Sequence, residues 1–121
     1  SNGLSFLCTR MTFTQCGGHG VVAWNTKGRF INCVITQCGC SGIFCHSNVL
    51  IELEGDQTKV DGNCTSGSGS SYGLTTSNTS CIIHLLFPLT KESVSTNNHD
   101  GQNYGGRRGT IETVESLEKL L

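Results

Sequence analysis

Three acidic residues that alternate along one predicted strand are the best candidates for acid–base chemistry. Glu52, Glu54 and Asp56 are separated by Leu53 and Gly55. Because successive strand side chains point to opposite faces, this spacing predicts three carboxylates on one outward face. Such a cluster could bind Ca²⁺ or act as general acid and base. A solvated strand face explains the same pattern, so we assign no catalytic residue and keep these three as the alternative.

A second group of residues offers sulfur and nitrogen ligands for a metal. Cys38, Cys40, Cys45 and His46 lie within nine residues of sequence, and four such ligands are enough for tetrahedral zinc. Strand alternation and an intervening corner would point these side chains in different directions. We therefore expect no metal and no cofactor, and these four residues are the alternative metal site.

An internal repeat predicts the elements that position these residues. Residues 12–22 align without a gap on residues 34–44, at an offset of 22 residues. Thr14, Gln15, Cys16, Gly17 and Gly20 are each identical to the residue 22 positions further on. A unit of this length is too short for a strand, a crossover helix and a return strand, but it matches one coil of a solenoid. Residues one coil apart then become direct neighbours at a spacing of about 4.8 Å.

The repeat continues less regularly towards the C-terminus. A buried strand is predicted at 80–89, a further coil begins at 93–98, and loops are predicted at 65–71 and 100–109. This pattern predicts an all-β solenoid of about four to five coils, with a short amphipathic helix at 115–121 as a C-terminal cap. Because no comparable cap precedes the first coil, we expect residues 1–121 to be one domain that forms the C-terminal part of a longer solenoid.

The eight cysteines are expected to fill a ladder in the core of this solenoid. Cys16 and Cys38 occupy the same position of the repeat, and Cys33 stands where Met11 does. Small apolar side chains suit such positions, which favours reduced thiols and a reducing intracellular compartment. Disulfides between adjacent coils are the alternative.

Two columns of large side chains have the opposite strand phase to two columns of smaller ones. The larger columns are Val22 with Phe44 and Trp24 with His46. The smaller ones are Val21 with Ile43 and Ala23 with Cys45. If the smaller set points inward, the larger set forms an exposed apolar and aromatic stripe that could bind a partner or a second copy of the chain. The opposite orientation, with the large residues inside, is also compatible with the sequence.

Charge and hydropathy exclude some classes of partner. The formal net charge is −1, from 8 Lys and Arg against 9 Asp and Glu, so we expect no nucleic-acid partner. The longest apolar run, 82–89, is interrupted by His84 and Pro88, and we expect no membrane partner.

The segment Gly28-Arg29-Phe30-Ile31-Asn32-Cys33-Val34-Ile35-Thr36-Gln37-Cys38-Gly39-Cys40-Ser41-Gly42-Ile43 resembles a coil of right-handed β-helix repeat proteins of the pectate-lyase-like superfamily. Residues 53–55 and 89–98 resemble uncharacterised members of that group from marine algae and their large viruses. The resemblance implies a right-handed parallel β-helix. It does not define an activity, because this superfamily includes lyases, epimerases, surface proteins and adaptors.

The sequence thus favours a non-catalytic β-solenoid scaffold or recognition module of unknown ligand. We expect a protein partner or self-association, through the open N-terminal end or a lateral strand face. The alternative is a carbohydrate-active protein, similar to polysaccharide lyases, hydrolases or epimerases, that acts on or binds a polysaccharide. It is motivated by the resemblance and by Glu52, Glu54 and Asp56.

Overall fold

The computed structural model describes residues 5–67, 69–106 and 108–115. These residues form short strands joined by tight corners, with little helix. The strands are β1 (Phe6–Thr9), β2 (Thr12–Thr14), β3 (Val21–Ala23), β4 (Thr26–Ile31), β5 (Val34–Thr36), β6 (Ile43–Cys45), β7 (Val49–Glu54), β8 (Lys59–Asp61), β9 (Leu74–Thr76), β10 (Cys81–Leu86), β11 (Ser95–Thr96), β12 (Tyr104–Gly106) and β13 (Thr110–Val114). A four-residue helix, α1 (Lys91–Val94), precedes β11, and a single 3₁₀ turn spans His99–Gly101.

The strands assemble into three parallel sheets. Sheet A has the order β1-β4-β7-β10-β13, sheet B the order β2-β5-β8-β11, and sheet C the order β3-β6-β9-β12. Three successive strands, one in each sheet, make one pass of the chain. Each third strand therefore returns to the same sheet and lies beside the corresponding strand of the previous pass. The prediction of an all-β fold with parallel sheets is confirmed, and this path is consistent with a parallel β-solenoid.

The first two passes of the chain pair at the offset found in the sequence. Phe13 lies beside Ile35 in sheet B, and Val22 lies beside Phe44 in sheet C, so each pair is 22 residues apart. The offset grows further along the chain and is 31 residues between Ile43 and Leu74. The extra residues include 65–67 and 69–71, which form turns without a strand, as the predicted loop requires.

Alternating apolar residues from the three sheets fill the interior. In β7 the buried Val49, Ile51 and Leu53 alternate with Leu50, Glu52 and Glu54, whose side chains point outward. The largest buried side chains are Phe30, Ile35, Ile43, Ile51, Leu53, Leu74, Ile83 and Leu85. Burial of each such side chain stabilises the fold by about 1.5–3 kcal/mol, so this shared interior holds the three sheets together.

The corners combine left-handed backbone at polar residues with close approach at glycines. Gln15 and Gln37, which are 22 residues apart, have φ angles of 57° and 58°. A Cβ atom on Gly39 would lie 2.2 Å from the carbonyl oxygen of Gly17 in the neighbouring pass. Gly39 therefore allows the close approach of two backbones, and the positive φ angles of this corner belong to the glutamines.

Two buried asparagines connect consecutive passes at the same corner. The Asn63 side chain accepts a hydrogen bond from the Cys38 N–H at 3.0 Å and donates one to the Ile35 carbonyl at 3.0 Å. The Asn98 side chain accepts one from the Asn63 N–H at 2.8 Å. Because a buried amide without a partner is destabilising, this satisfied ladder fixes the position of each pass on the one before.

The C-terminal part departs from the prediction in one segment. The loop predicted at 100–109 contains strand β12, which pairs with β9, so that prediction was wrong for Tyr104–Gly106. The buried strand predicted at 80–89 is present as Cys81–Leu86. The predicted cap at 115–121 lies outside the described residues except for Glu115, which is not helical. Among the described residues, no helix has the length and apolar character needed to cross a membrane.

Candidate functional site

The acidic residues singled out from the sequence lie at the outer face of sheet A. Glu52 and Glu54 point outward from β7, as their alternation predicts. Asp56 does not lie on this face, because β7 ends at Glu54 and Gly55 turns the chain with a φ of +100°. The prediction of three carboxylates on one strand face was therefore wrong for Asp56, which is exposed in the turn that follows.

Glu52 and Glu54 are both bound by one guanidinium group. Arg29, on the neighbouring strand β4, places Nη2 2.8 Å from Oε1 of Glu52 and Nη1 3.4 Å from Oε1 of Glu54. Its Nε also donates to Glu52 at 2.9 Å. Because Glu52 is only 8% exposed, this charge-assisted contact compensates for the loss of hydration of its carboxylate. The arrangement is a structural ion-pair network along one sheet.

The same outward column continues across all five strands of sheet A. Leu7, Arg29, Glu52, His84 and Glu112 are successive neighbours across the five strands of sheet A. His84 Nε2 lies 3.5 Å from Oε2 of Glu112. Opposite or complementary groups thus face each other on adjacent strands, which stabilises a sheet.

The alternative metal ligands do not converge. The Cys38 thiol is buried beside Cys16, the Cys45 thiol is buried beside Cys81, and His46 lies on the outer face of sheet C. The fourth residue, Cys40, lies beside Cys64 in the next pass. Within the described residues, no three His, Cys, Asp or Glu side chains form a group that could hold a metal ion.

All eight cysteines are free thiols, and five of them are buried: Cys33, Cys38, Cys45, Cys64 and Cys81. Burial raises the pKa of the Cys45 thiol to about 12 and that of the Cys64 thiol to about 11, with smaller contributions from neighbouring cysteines. At neutral pH these groups are therefore protonated and act as small apolar side chains in the core.

The large side chains of sheet C point outward. Val21 and Ile43 turn into the core, whereas Val22 is 60% exposed and Phe44 is partly buried on the opposite face. Of the two orientations left open by the sequence, the structure has the one with the smaller residues inside. Trp24, directly after β3, is 62% exposed. We call His19, Val22, Trp24, Phe44 and His46 the aromatic face.

The rings of the aromatic face stack on one another across neighbouring passes. The ring centroids of Trp24 and His46 are 4.8 Å apart with an interplanar angle of 38°. His19 stacks on Phe44 at 4.6 Å and 15°, and Phe44 meets His46 edge-on at 6.3 Å. These contacts order the rings while leaving the Trp24 indole largely accessible, so the surface is apolar and preorganised.

His19 was not among the surface residues predicted from the sequence. Its Nδ1 accepts a hydrogen bond from the Ser41 N–H at 3.0 Å. An accepting ring nitrogen carries no proton, so the imidazole is neutral in this contact. Burial lowers the pKa of His19. The repeat aligns His19 with Ser41, so their proximity could have been found, but the stacking on Phe44 crosses columns and has no sequence signal.

The column of large side chains on sheet C ends at Phe44. The register partner of Phe44 on β9 is Thr75, which is buried, and the next is Gly105 on β12. A groove beside these strands is lined by Ser77, Asn78, Thr79, Gly106 and Arg108. An apolar platform therefore adjoins a groove with hydroxyl, amide and guanidinium groups.

Comparisons with known proteins do not identify a relative. No family model matches the chain, and neither the curated proteins nor the solved structures contain a match.

Proposed function

We propose that this chain is a non-catalytic β-solenoid recognition module that binds through its aromatic face. The observation that carries the proposal is the exposure of Trp24 and Val22, at 62% and 60%, on an ordered and uncharged part of sheet C. Monomeric proteins seldom expose contiguous apolar surface without a binding role.

The composition of the face suits a protein surface as ligand. Tryptophan is enriched among the residues that contribute most to interface affinity, because it buries a large area with few rotatable bonds. The contacts of Trp24 with His46 and of His19 with Phe44 reduce the conformational entropy that these rings would lose on binding. A second copy of this chain is the first protein ligand to test.

A polysaccharide is the second candidate ligand. An aromatic ring packs against the apolar face of a sugar, and hydroxyl, amide and guanidinium groups bind its hydroxyls. Trp24 supplies the ring, and the groove with Asn78 and Arg108 supplies the polar groups. Carbohydrate chemistry by Glu52 and Glu54 is less well supported, because both carboxylates already contact Arg29.

For the architecture, we propose a right-handed parallel β-helix of about four to five coils, since connections between parallel strands of one sheet are almost always right-handed. Membership of the pectate-lyase-like superfamily, near members from marine algae and their large viruses, is part of the same proposal. It is supported by the β-helix resemblance of residues 28–43. A crystal structure with left-handed connections would contradict it.

The test of function compares two charge insertions at equally exposed positions. Val22→Glu places a carboxylate in the aromatic face, and Leu7→Glu places one on sheet A, where Leu7 is 58% exposed. In light scattering over a concentration series, we expect the wild-type mass to rise with concentration, Leu7→Glu to behave alike and Val22→Glu to stay monomeric.

Affinity electrophoresis in gels that contain neutral or uronic-acid polysaccharides tests the second ligand. Retardation that Val22→Glu abolishes would identify a polysaccharide as the ligand of the aromatic face. A strictly monomeric wild type that no polysaccharide retards would contradict both forms of the proposal. Cleavage of uronic-acid polymers that is lost in Glu54→Gln would contradict its non-catalytic part.

A further inference from the structure

The eight cysteines form four neighbouring pairs, each between two passes of the chain. The pairs are Cys8 with Cys33, Cys16 with Cys38, Cys40 with Cys64, and Cys45 with Cys81. No cysteine is left over, although the sequence separations of the pairs differ. This complete pairing is unexpected if the residues act only as small apolar side chains.

Direct contacts place two of these pairs. The Cys33 Sγ lies 3.4 Å from the carbonyl oxygen of Cys8, and the Cys81 Sγ lies 3.2 Å from the carbonyl oxygen of Cys45. In both pairs one sulfur therefore reaches the backbone of the partner cysteine.

Backbone hydrogen bonds place the other two pairs. The Cys64 N–H donates to the Cys40 carbonyl at 2.9 Å. The N–H of Gly39 donates to the Cys16 carbonyl at 2.8 Å, which sets Cys38 beside Cys16 in the next pass. Cys16 and Cys38 have the 22-residue offset of the local register, so the spacing of about 4.8 Å between neighbouring strands puts their Cα atoms within the range of about 4.4–6.8 Å that disulfides join. Cys8 and Cys45 lie opposite Phe30 and Thr76 rather than opposite their partner cysteines, and the sulfur contacts place those two pairs.

We propose that these four pairs are redox-sensitive sites that oxidise to disulfides between neighbouring passes, by exchange with a small-molecule disulfide such as oxidised glutathione. One cysteine thiolate attacks a glutathione sulfur, and one reduced glutathione leaves. The partner thiolate then attacks the mixed disulfide and releases the second. Each protein pair loses two protons and two electrons, and one oxidised glutathione becomes two reduced molecules.

Accessibility divides the pairs into two groups. Cys8, Cys16 and Cys40 are partly exposed, so an external disulfide can reach one member of each of their pairs. Cys45 and Cys81 are both fully buried, and burial raises the pKa of Cys45 to about 12. Their bond therefore forms during oxidative refolding but not in the folded protein.

Two of the four bonds would join the first two described passes. Cys8 joins β1 to the corner after β4, and Cys16 joins the corner after β2 to that after β5.

The experiment maps disulfides in the full chain after incubation with oxidised glutathione at pH 8.5, with and without prior unfolding in urea. In the folded protein we expect a loss of about 2 Da for each of three bonds, 8–33, 16–38 and 40–64. Refolding adds 45–81. The Tm of the oxidised protein should exceed that of the reduced protein by more than about 10 °C.

Two single variants serve as matched controls. Cys16→Ser should remove only the 16–38 bond, and Cys8→Ser only the 8–33 bond, so the failure of one variant to fold leaves the other test intact. Eight free thiols after incubation, or bonds between other partners in the folded protein, would overturn the proposal. Because no cysteine belongs to the aromatic face, this result is independent of the binding function.

Discussion

The outer faces of sheets A and C are built from the same strand passes but have different chemistry. On sheet A the outward column contains Arg29 and Glu52, which contact each other at 2.8 Å. On sheet C the outward column carries Val22 and Phe44, with Trp24 next to them. Arg29 and Glu52 on sheet A contact each other, whereas Trp24 is 62% exposed.

This contrast underlies our proposal that sheet A is scaffold and that the aromatic face binds a ligand. A charged group that is partly buried needs a fixed partner, and Arg29 supplies it to Glu52. A single exposed apolar side chain needs no ligand to explain it, but Trp24 lies beside Val22 and Phe44, and such contiguous apolar surface supports the proposed binding role. The two carboxylates on β7 that the sequence offers for acid–base chemistry are both in contact with Arg29.

The largest expected effect is on stability and follows removal of the Arg29 guanidinium group from sheet A. Arg29→Met keeps the aliphatic packing but leaves Glu52, whose side chain is 11% exposed, without its partner. We expect the free energy of unfolding in urea to fall by about 2 kcal/mol, because a desolvated carboxylate is left uncompensated.

The matched control for Arg29→Met replaces both partners. Arg29→Met combined with Glu52→Leu should recover most of the loss, since the second substitution removes the unpaired charge. If Arg29→Met alone were as stable as wild type, the ion pair would contribute nothing to the stability of the scaffold.

A smaller effect concerns the neutral imidazole at the edge of the aromatic face. Burial lowers the pKa of His19 in the folded state, so the unfolded chain binds a proton first as the pH falls. The stability that neutral His19 contributes is fully present above its unfolded pKa of about 6.5 and is lost as the pH falls through the lower folded value.

The matched measurement compares wild type with His19→Phe, which keeps a ring on Phe44 but cannot accept the Ser41 hydrogen bond. Urea unfolding at several pH values should give a stability that declines less steeply below about pH 6.5 in the variant. Equal slopes would show that His19 protonation is not linked to folding.

The repeat predicted the sheets because identical residues reveal which positions become neighbours. It did not predict the contact of Arg29 with Glu52. At the 22-residue offset Arg29 would lie beside Ile51, but one additional residue shifts the pairing of β4 with β7 to an offset of 23. This one-residue shift changes which side chains face each other. The alignment of the first two coils does not reveal it, because the shift occurs where the third coil begins.

The orientation of sheet C could not be predicted for a different reason. Val21 and Val22 are both apolar, so alternation gives no contrast between a core and a solvent face. The choice depends on the packing of Val21 and Ile43 with the other two sheets, a long-range property. Asp56 was misplaced because alternation was extended through Gly55, where the backbone turns.

The central claim, that the aromatic face binds the ligand, is tested most directly by truncating its exposed indole. Trp24→Ala and Leu7→Ala each remove an exposed apolar side chain, from sheets C and A respectively. Sedimentation equilibrium, or titration with a retarding polysaccharide, should show at least about tenfold weaker binding for Trp24→Ala and wild-type affinity for Leu7→Ala. Unchanged affinity in Trp24→Ala, with the fold intact, would contradict the claim.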